Sequence, residues 1–318
     1  MMLDAESSSL LDVLNAEFPA VETMSGPQAR AAVRARLQIP SEPEYVAGVS
    51  ERTIPGPDAL IPIRIYWPAA AIEECENQTA ACTPSLPPII VFAHGGGFVF
   101  CDLDTHDGFC RAMANGVGAI VVSVGYRPAP ETRWPGAAED VYATLVWAAE
   151  HASELCGDAT RLVVAGDSAG GNLAAVAALL CRDRCGPPVT AQLLIYPVIT
   201  PNFDTASYLR YATGFFNTRA RMQWYWNQYL PIDADRAHPY VSPIHAELIG
   251  LPPAVLVSAG HDPLRSEGDS YAQALAAASV PVNQRCYEET IHGFMTVSAL
   301  AIARRAQQQT WTDLGNLL

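Results

Sequence analysis

From residue 89 onward the chain repeats one pattern, a short apolar run followed by a stretch of helix length. Ile89-Ile90-Val91-Phe92, Ala119-Ile120-Val121-Val122, Arg161-Leu162-Val163-Val164 and Leu193-Leu194-Ile195-Tyr196 are such runs. Ala254-Val255-Leu256-Val257 and Val282 to Tyr287 continue the series. A strand with one wet face alternates apolar and polar residues, whereas strands of a parallel sheet are buried on both faces and do not. The intervening stretches, Ala137 to Ser153, Gly171 to Arg184, Leu264 to Ala278 and Phe294 to Leu314, read as crossover helices. Strand and helix alternating in this way predict an α/β fold around a mostly parallel sheet. With 318 residues, half of them apolar, the chain suffices for one large core but not for several enzyme domains.

The flanks differ. Leu10, Leu11, Val13 and Leu14 give one apolar helix face, and Ser25-Gly26-Pro27 opens a second helix expected to run through Leu37. Ile61 to Tyr66 alternates like an early or edge strand, and Ala69 to Pro88, polar and proline-rich, reads as a surface loop. Pro201 to Leu251 breaks the rhythm and carries a helix-like run, Thr218 to Tyr229. The chain thus divides into a helical cap segment (1–50), a first core portion (51–200), an insertion that joins the cap (201–251) and a second core portion (252–318).

The net charge of −14, from 33 acidic against 19 basic residues, opposes binding to nucleic acid or anionic membrane. Met1-Met2-Leu3-Asp4-Ala5-Glu6 is acidic where a secretory leader is basic, and no apolar run has membrane-spanning length. The expectation is a cytoplasmic protein without a transmembrane segment, in which the sequon Asn77-Gln78-Thr79 stays unmodified. The eight cysteines, at 75, 82, 101, 110, 156, 181, 185 and 286, contain no tight Cys-x-x-Cys pair, so neither a disulfide framework nor a metal site is expected. Cys75 and Cys82 bracket a polar loop and would pair only in an oxidising compartment.

The apolar run 161–165 leads into Gly166-Asp167-Ser168-Ala169-Gly170-Gly171, after which a helix begins. Gly-x-Ser-x-Gly between strand and helix places the serine on a sharp turn above the sheet edge. The helix N-terminus beneath it favours developing negative charge. Ser168 is therefore the candidate nucleophile, with Asp167 beside it. The run 89–92 is followed by His94-Gly95-Gly96-Gly97-Phe98. Three consecutive glycines are costly unless backbone must approach something closely, and their amides can form half of an oxyanion hole. The Ala169 amide supplies the other half, and His94 and Gly95 support the loop.

A serine hydroxyl needs a base held by a third group. With this turn, acid and histidine follow the nucleophile in chain order. His292, in Ile291-His292-Gly293-Phe294 after the last strand, is the candidate base; His238 and His245 read as loop or cap residues. Asp262 follows the run 254–258 and is the candidate acid, with Glu267 as runner-up.

With these residues placed, the chain resembles the hormone-sensitive-lipase-like carboxylesterases, bacterial family IV of the α/β-hydrolases. Besides the nucleophile turn, the glycine loop, Asp262-Pro263-Leu264 and His292-Gly293-Phe294, the likeness includes Asp104-Thr105-His106-Asp107 and Gly125-Tyr126-Arg127-Pro128-Ala129-Pro130-Glu131. The resemblance implies an eight-stranded, mostly parallel sheet with a helical cap, no cofactor, and hydrolysis of short- to medium-chain acyl esters. It also implies oxyanion amides at Gly96, Gly97 and Ala169, and in many members a homodimer. Cys101 stands where relatives have glycine, which makes its thiol a candidate for oxidation. Pro128 replaces the usual leucine and is expected to alter shape rather than chemistry. Glu131 and Asp140 are expected to pair with Arg127 or Arg133.

The expected reaction is attack by Ser168 on the ester carbonyl, with His292 as base and then acid, followed by hydrolysis of the acyl-enzyme. An amidase or peptidase with the same triad, or a non-catalytic receptor for a small molecule, are the competing readings. Phe98, Phe215, Phe216, Trp224 and Tyr225 are candidates for the pocket wall.

Overall fold

The computed structural model describes residues 2–36, 43–70 and 86–318. Its strands are β1 (Gly48–Pro55), β2 (Leu60–Trp67), β3 (Pro88–Ala93), β4 (Ile120–Val124), β5 (Asp158–Asp167), β6 (Ala191–Ile195), β7 (Ala254–His261) and β8 (Val282–Ile291). They form an eight-stranded sheet in the order β1-β2-β4-β3-β5-β6-β7-β8. β2 runs antiparallel to both of its neighbours, and every pair from β4 to β8 is parallel.

The helices are α1 (Ala5–Glu17), α2 (Gly26–Arg34), α3 (Asp107–Val117), α4 (Gly136–Glu150), α5 (Ala152–Leu155), α6 (Ala169–Asp183), α7 (Ala206–Arg210), α8 (Arg219–Tyr229), α9 (Arg265–Ala277) and α10 (Ala301–Gly315). The central strands lack alternation because both faces are covered. Ile89, Val91, Leu162 and Val164 pack in one core with Val141 and Leu145 of α4, Leu173 and Leu180 of α6, and Leu275 of α9. Their neighbours Ile90, Phe92, Val163 and Ala165 pack in the other, with Phe109 and Met113 of α3 and Ala303 and Trp311 of α10.

Several boundaries depart from the sequence expectation. β1, an edge strand with largely exposed residues, carries too little apolar signal to be anticipated. α3 is equally silent, since Asp107-Gly108-Phe109-Cys110 opens with a glycine and the helix stops at a left-handed Gly118. The last helix begins at Ala301, because Phe294–Thr296 closes a separate 3-10 turn. α2 ends at Arg34; Leu37, the sequon and the Cys75–Cys82 pairing lie outside the described residues. Asp140 pairs with Arg127, whereas Glu131 reaches Arg30, and Arg133 donates to the carbonyls of Asn227 and Leu230.

A helical cap covers the C-terminal edge of the sheet. Asp4 caps α1 at Ser7 and its amide donates to the Glu289 carbonyl, which fixes α1 at the end of β8. Asn15 donates to the Gly214 carbonyl, Trp224 of α8 donates to the Met24 carbonyl, and Glu22 pairs with Arg221. N-terminal helices and mid-chain insertion are thus bonded to one another above the sheet. Arg34 of α2 pairs with Asp102 and Asp104 in the core.

Candidate active site

β5 delivers Asp167 and then Ser168, whose φ of 56° and ψ of −117° lie outside the regions that non-glycine residues normally occupy. Two glycines make that turn possible. A Cβ on Gly166 would strike the Gly170 carbonyl oxygen, and one on Gly170 would strike the carbonyl oxygen of Ala93 at the end of β3. The elbow therefore presses directly against the strand that carries the glycine loop.

His292, the residue that follows β8, reaches back across the sheet edge. Its Nε2 lies 2.9 Å from Ser168 Oγ and its Nδ1 lies 2.7 Å from Asp262 Oδ2. The other Asp262 oxygen accepts from the Leu264 amide at 2.9 Å, which locks the carboxylate in place. Ser168, Asp262 and His292 are 8 %, 1 % and 7 % exposed, so the linkage is sheltered from water. The arrangement is that of a nucleophile, a base and an orienting acid. Glu267 is not part of it. Its Oε1 accepts from the Ile199 amide at 2.7 Å, and burial holds its carboxyl well above the usual range. His238 accepts from the Tyr240 amide, and His245 lies in a 3-10 turn.

In the glycine loop, Gly96 and Gly97 have φ of 106° and 60°. A Cβ on Gly96 would meet the Phe100 carbonyl and one on Gly97 would meet the Tyr225 ring. Among the described residues, no hydrogen bond engages the amides of Gly96, Gly97 or Ala169. Gly95 donates its amide to Asp167 Oδ1 at 2.7 Å. His94 donates from Nδ1 to the Gly95 carbonyl at 2.7 Å and stacks on Tyr126 at 4.3 Å. Burial, aided by nearby His106, lowers the His94 pKa to about 4 and keeps the ring neutral. Burial also raises the Asp167 carboxyl, but His106 and the Gly95 amide outweigh it and leave the group below its ordinary value.

Gly96, Gly97, Ser168 and His292 open on a cavity of about 180 Å³. Its apolar wall includes Phe98, Phe216 and Tyr225 of the anticipated aromatics, together with Phe18, Val33, Phe100 and Met222. Phe215 lies elsewhere, stacked at 5.7 Å on His261, and Trp224 is turned toward the N-terminal segment by its bond to Met24. Successive residues 215 and 216 face opposite ways, which the run of aromatics could not reveal. Phe18 ends α1 and is remote from every motif, yet it meets Phe216 edge-on at 4.9 Å inside the cavity. Cys101 also lines the cavity, at φ 68°. Burial pushes its thiol up to about 12, which disfavours the reactive thiolate.

These features recur in known proteins. Residues 90–296 match a family model described as an alpha/beta hydrolase fold. The carboxylic ester hydrolase LipN of Mycobacterium tuberculosis is 41 % identical over 278 residues, 85 % of this chain and 70 % of LipN. The carboxylesterase NlhH of the same organism is 38 % identical over 307 residues, covering 95 % of this chain and 91 % of NlhH. A crystal structure of LAE6, an alpha/beta hydrolase enzyme from the metagenome of Lake Arreo, superimposes with a TM-score of 0.90 at 35 % identity, covering 99 % of this chain and 98 % of LAE6. Fold, sheltered Ser-His-Asp linkage and these likenesses agree: the chain belongs to the α/β-hydrolase family, in its hormone-sensitive-lipase-like (bacterial family IV) carboxylesterase branch.

Proposed function

We propose that the protein hydrolyses short- to medium-chain acyl esters through an acyl-enzyme on Ser168. The bonds from His292 to Ser168 and Asp262 carry the reading. His292 Nε2 takes the hydroxyl proton as Ser168 attacks the carbonyl carbon. Asp262 accepts the Nδ1 hydrogen, holding the tautomer and stabilising the imidazolium. The amides of Gly96, Gly97 and Ala169 receive the oxyanion; among the described residues no other group engages them, which leaves them available for it. The imidazolium then gives its proton to the alcohol, and water activated by His292 releases the acid.

The cavity volume, below the roughly 300–1,000 Å³ of drug-sized ligand sites, supports a small acyl group over a long lipid chain. Phe98, Phe216 and Tyr225 are proposed to contact it. The cap is proposed to comprise residues 1–50 and 201–251, and the core residues 51–200 and 252–318. The charge of −14 supports a protein that does not bind nucleic acid. The described cysteines, 101, 110, 156, 181, 185 and 286, are free thiols, as a reducing cytoplasm permits. No helix among the described residues is long and apolar enough to cross a membrane. A homodimer, suggested by family resemblance, is testable by sedimentation. p-Nitrophenyl esters of increasing acyl length, assayed beside the matching p-nitroanilides, test the substrate class. Turnover should peak among the shorter esters; faster cleavage of the anilides would overturn it.

A further inference from the structure

A second carboxylate–imidazole pair stands one residue before the nucleophile. His106 Nε2 lies 3.2 Å from Asp167 Oδ1, the same oxygen that accepts the Gly95 amide at 2.7 Å. The two side chains are 7 % and 6 % exposed and line the cavity beside Ser168. The hydrogen positions follow from the partners. Thr105 Oγ1 lies 2.7 Å from the Asp102 carbonyl, which only accepts, so the single hydroxyl hydrogen points there. His106 Nδ1 lies 3.0 Å from the same hydroxyl oxygen. The carboxylate of Asp167 likewise only accepts. The Nε2 hydrogen therefore points at the Asp167 carboxylate.

The other groups around the ring leave Nε2 facing Asp167. They are the neutral His94 ring at 5.6 Å, Phe92 at 6.0 Å and, behind Thr105, the Asp102 carboxylate that accepts the Thr105 amide. Asp167 then has one oxygen shared between the His106 ring on one side and the backbone of the glycine loop on the other. Gly95 is the residue from which Gly96 and Gly97 extend.

We propose that His106 is a positioning residue for the oxyanion loop: paired with Asp167, it fixes the carboxylate that grips the Gly95 amide, and so aims the amides of Gly96 and Gly97. The role rests on the oxyanion assignment made above. It also gives Asp167 a task distinct from that of Asp262. Asp262 orients the base, and Asp167 orients the donors that meet the oxyanion.

Two amide side chains separate the two ends of the ring. Gln at position 106 extends an N–H to the place of Nε2 and keeps the bond to Asp167. Asn reaches only the place of Nδ1, so it keeps Thr105 and loses Asp167. Kinetics of His106→Asn and His106→Gln on a p-nitrophenyl ester test the proposal, with Ser168→Ala in parallel. We expect His106→Asn to lower kcat about 10- to 100-fold with KM within about threefold, less than the ~10²–10³-fold loss of deleting an oxyanion donor outright. His106→Gln should stay within about fivefold of wild type. Equal kcat for the two variants, an effect confined to KM, or failure of both to fold would overturn the role. Should Ser168→Ala retain turnover, the reading of the whole site fails instead, which keeps the two outcomes apart.

Discussion

Gly170, in the first turn of α6, lies so close to Ala93 at the end of β3 that a Cβ on the glycine would fall within the Ala93 carbonyl oxygen. This contact joins the helix behind the nucleophile to the strand that delivers the glycine loop. Gly170→Ala must push the two apart, an overpacking expected to cost about 1–3 kcal/mol or more. Urea unfolding should show that loss, and kcat should fall with it because elbow and loop separate together. A variant of wild-type stability and activity would show that the contact is slack.

Part of the cavity wall comes from the cap, and Phe18 at the end of α1 is one of its side chains. Phe18→Ala opens room beside Phe216. Since each buried methylene is worth about 0.8 kcal/mol, room for two of octanoate's four extra methylenes should raise the ratio of kcat/KM for octanoate over butyrate p-nitrophenyl esters roughly 15-fold. Trp224→Phe lies outside the cavity wall and should leave that ratio unchanged. A ratio unmoved by Phe18→Ala would place the acyl chain elsewhere.

The central sheet was legible because both of its faces are buried, and strands such as Ile89–Phe92 announce that without knowledge of their neighbours. The Ser-Asp-His linkage was legible because each member sits at a strand end, in chain order. Phe18 was not, since nothing local marks a residue that acts through a contact with position 216. His106 was visible only as part of a motif, because its partner Asp167 is distant in sequence. Phe215 and Phe216 could not be told apart, because the loop backbone alone decides which ring enters the cavity; Phe216 takes φ 60° to do so.

Acid should destabilise the loop region through His94. Its native pKa is about 4 against an ordinary 6.5, so the unfolded chain takes up a proton that the native state refuses between those values. Stability therefore rises with pH across that window and is lost on acidification from about pH 6.5 to about pH 4, by at most about 3 kcal/mol. Asp167 acts in the same direction at lower pH, since its native pKa lies below the ordinary value and its contribution is lost as pH falls through it. His106, Asp167, Asp102 and the Gly95 carbonyl are the groups facing His94. Urea unfolding at pH 7 and pH 4.5 should give a smaller acid loss for His94→Asn than for wild type. Equal losses would mean that His94 is protonated in the native state.

Cysteine labelling separates the cavity thiol from the surface ones. Cys156 and Cys185 are exposed, whereas the Cys101 thiol is pushed up to about 12. Of the described cysteines, a maleimide at pH 7.5 should modify Cys156 and Cys185 first and leave esterase activity intact. Peptide mapping that found Cys101 labelled first, with matching inactivation, would contradict the burial argument.

The most direct test of the account is hydrolysis of p-nitrophenyl butyrate by wild type and Ser168→Ala under the same conditions. Removal of the hydroxyl that lies 2.9 Å from His292 should lower kcat/KM by at least ~10³-fold in a protein that folds as before. Turnover near the wild-type rate would contradict it.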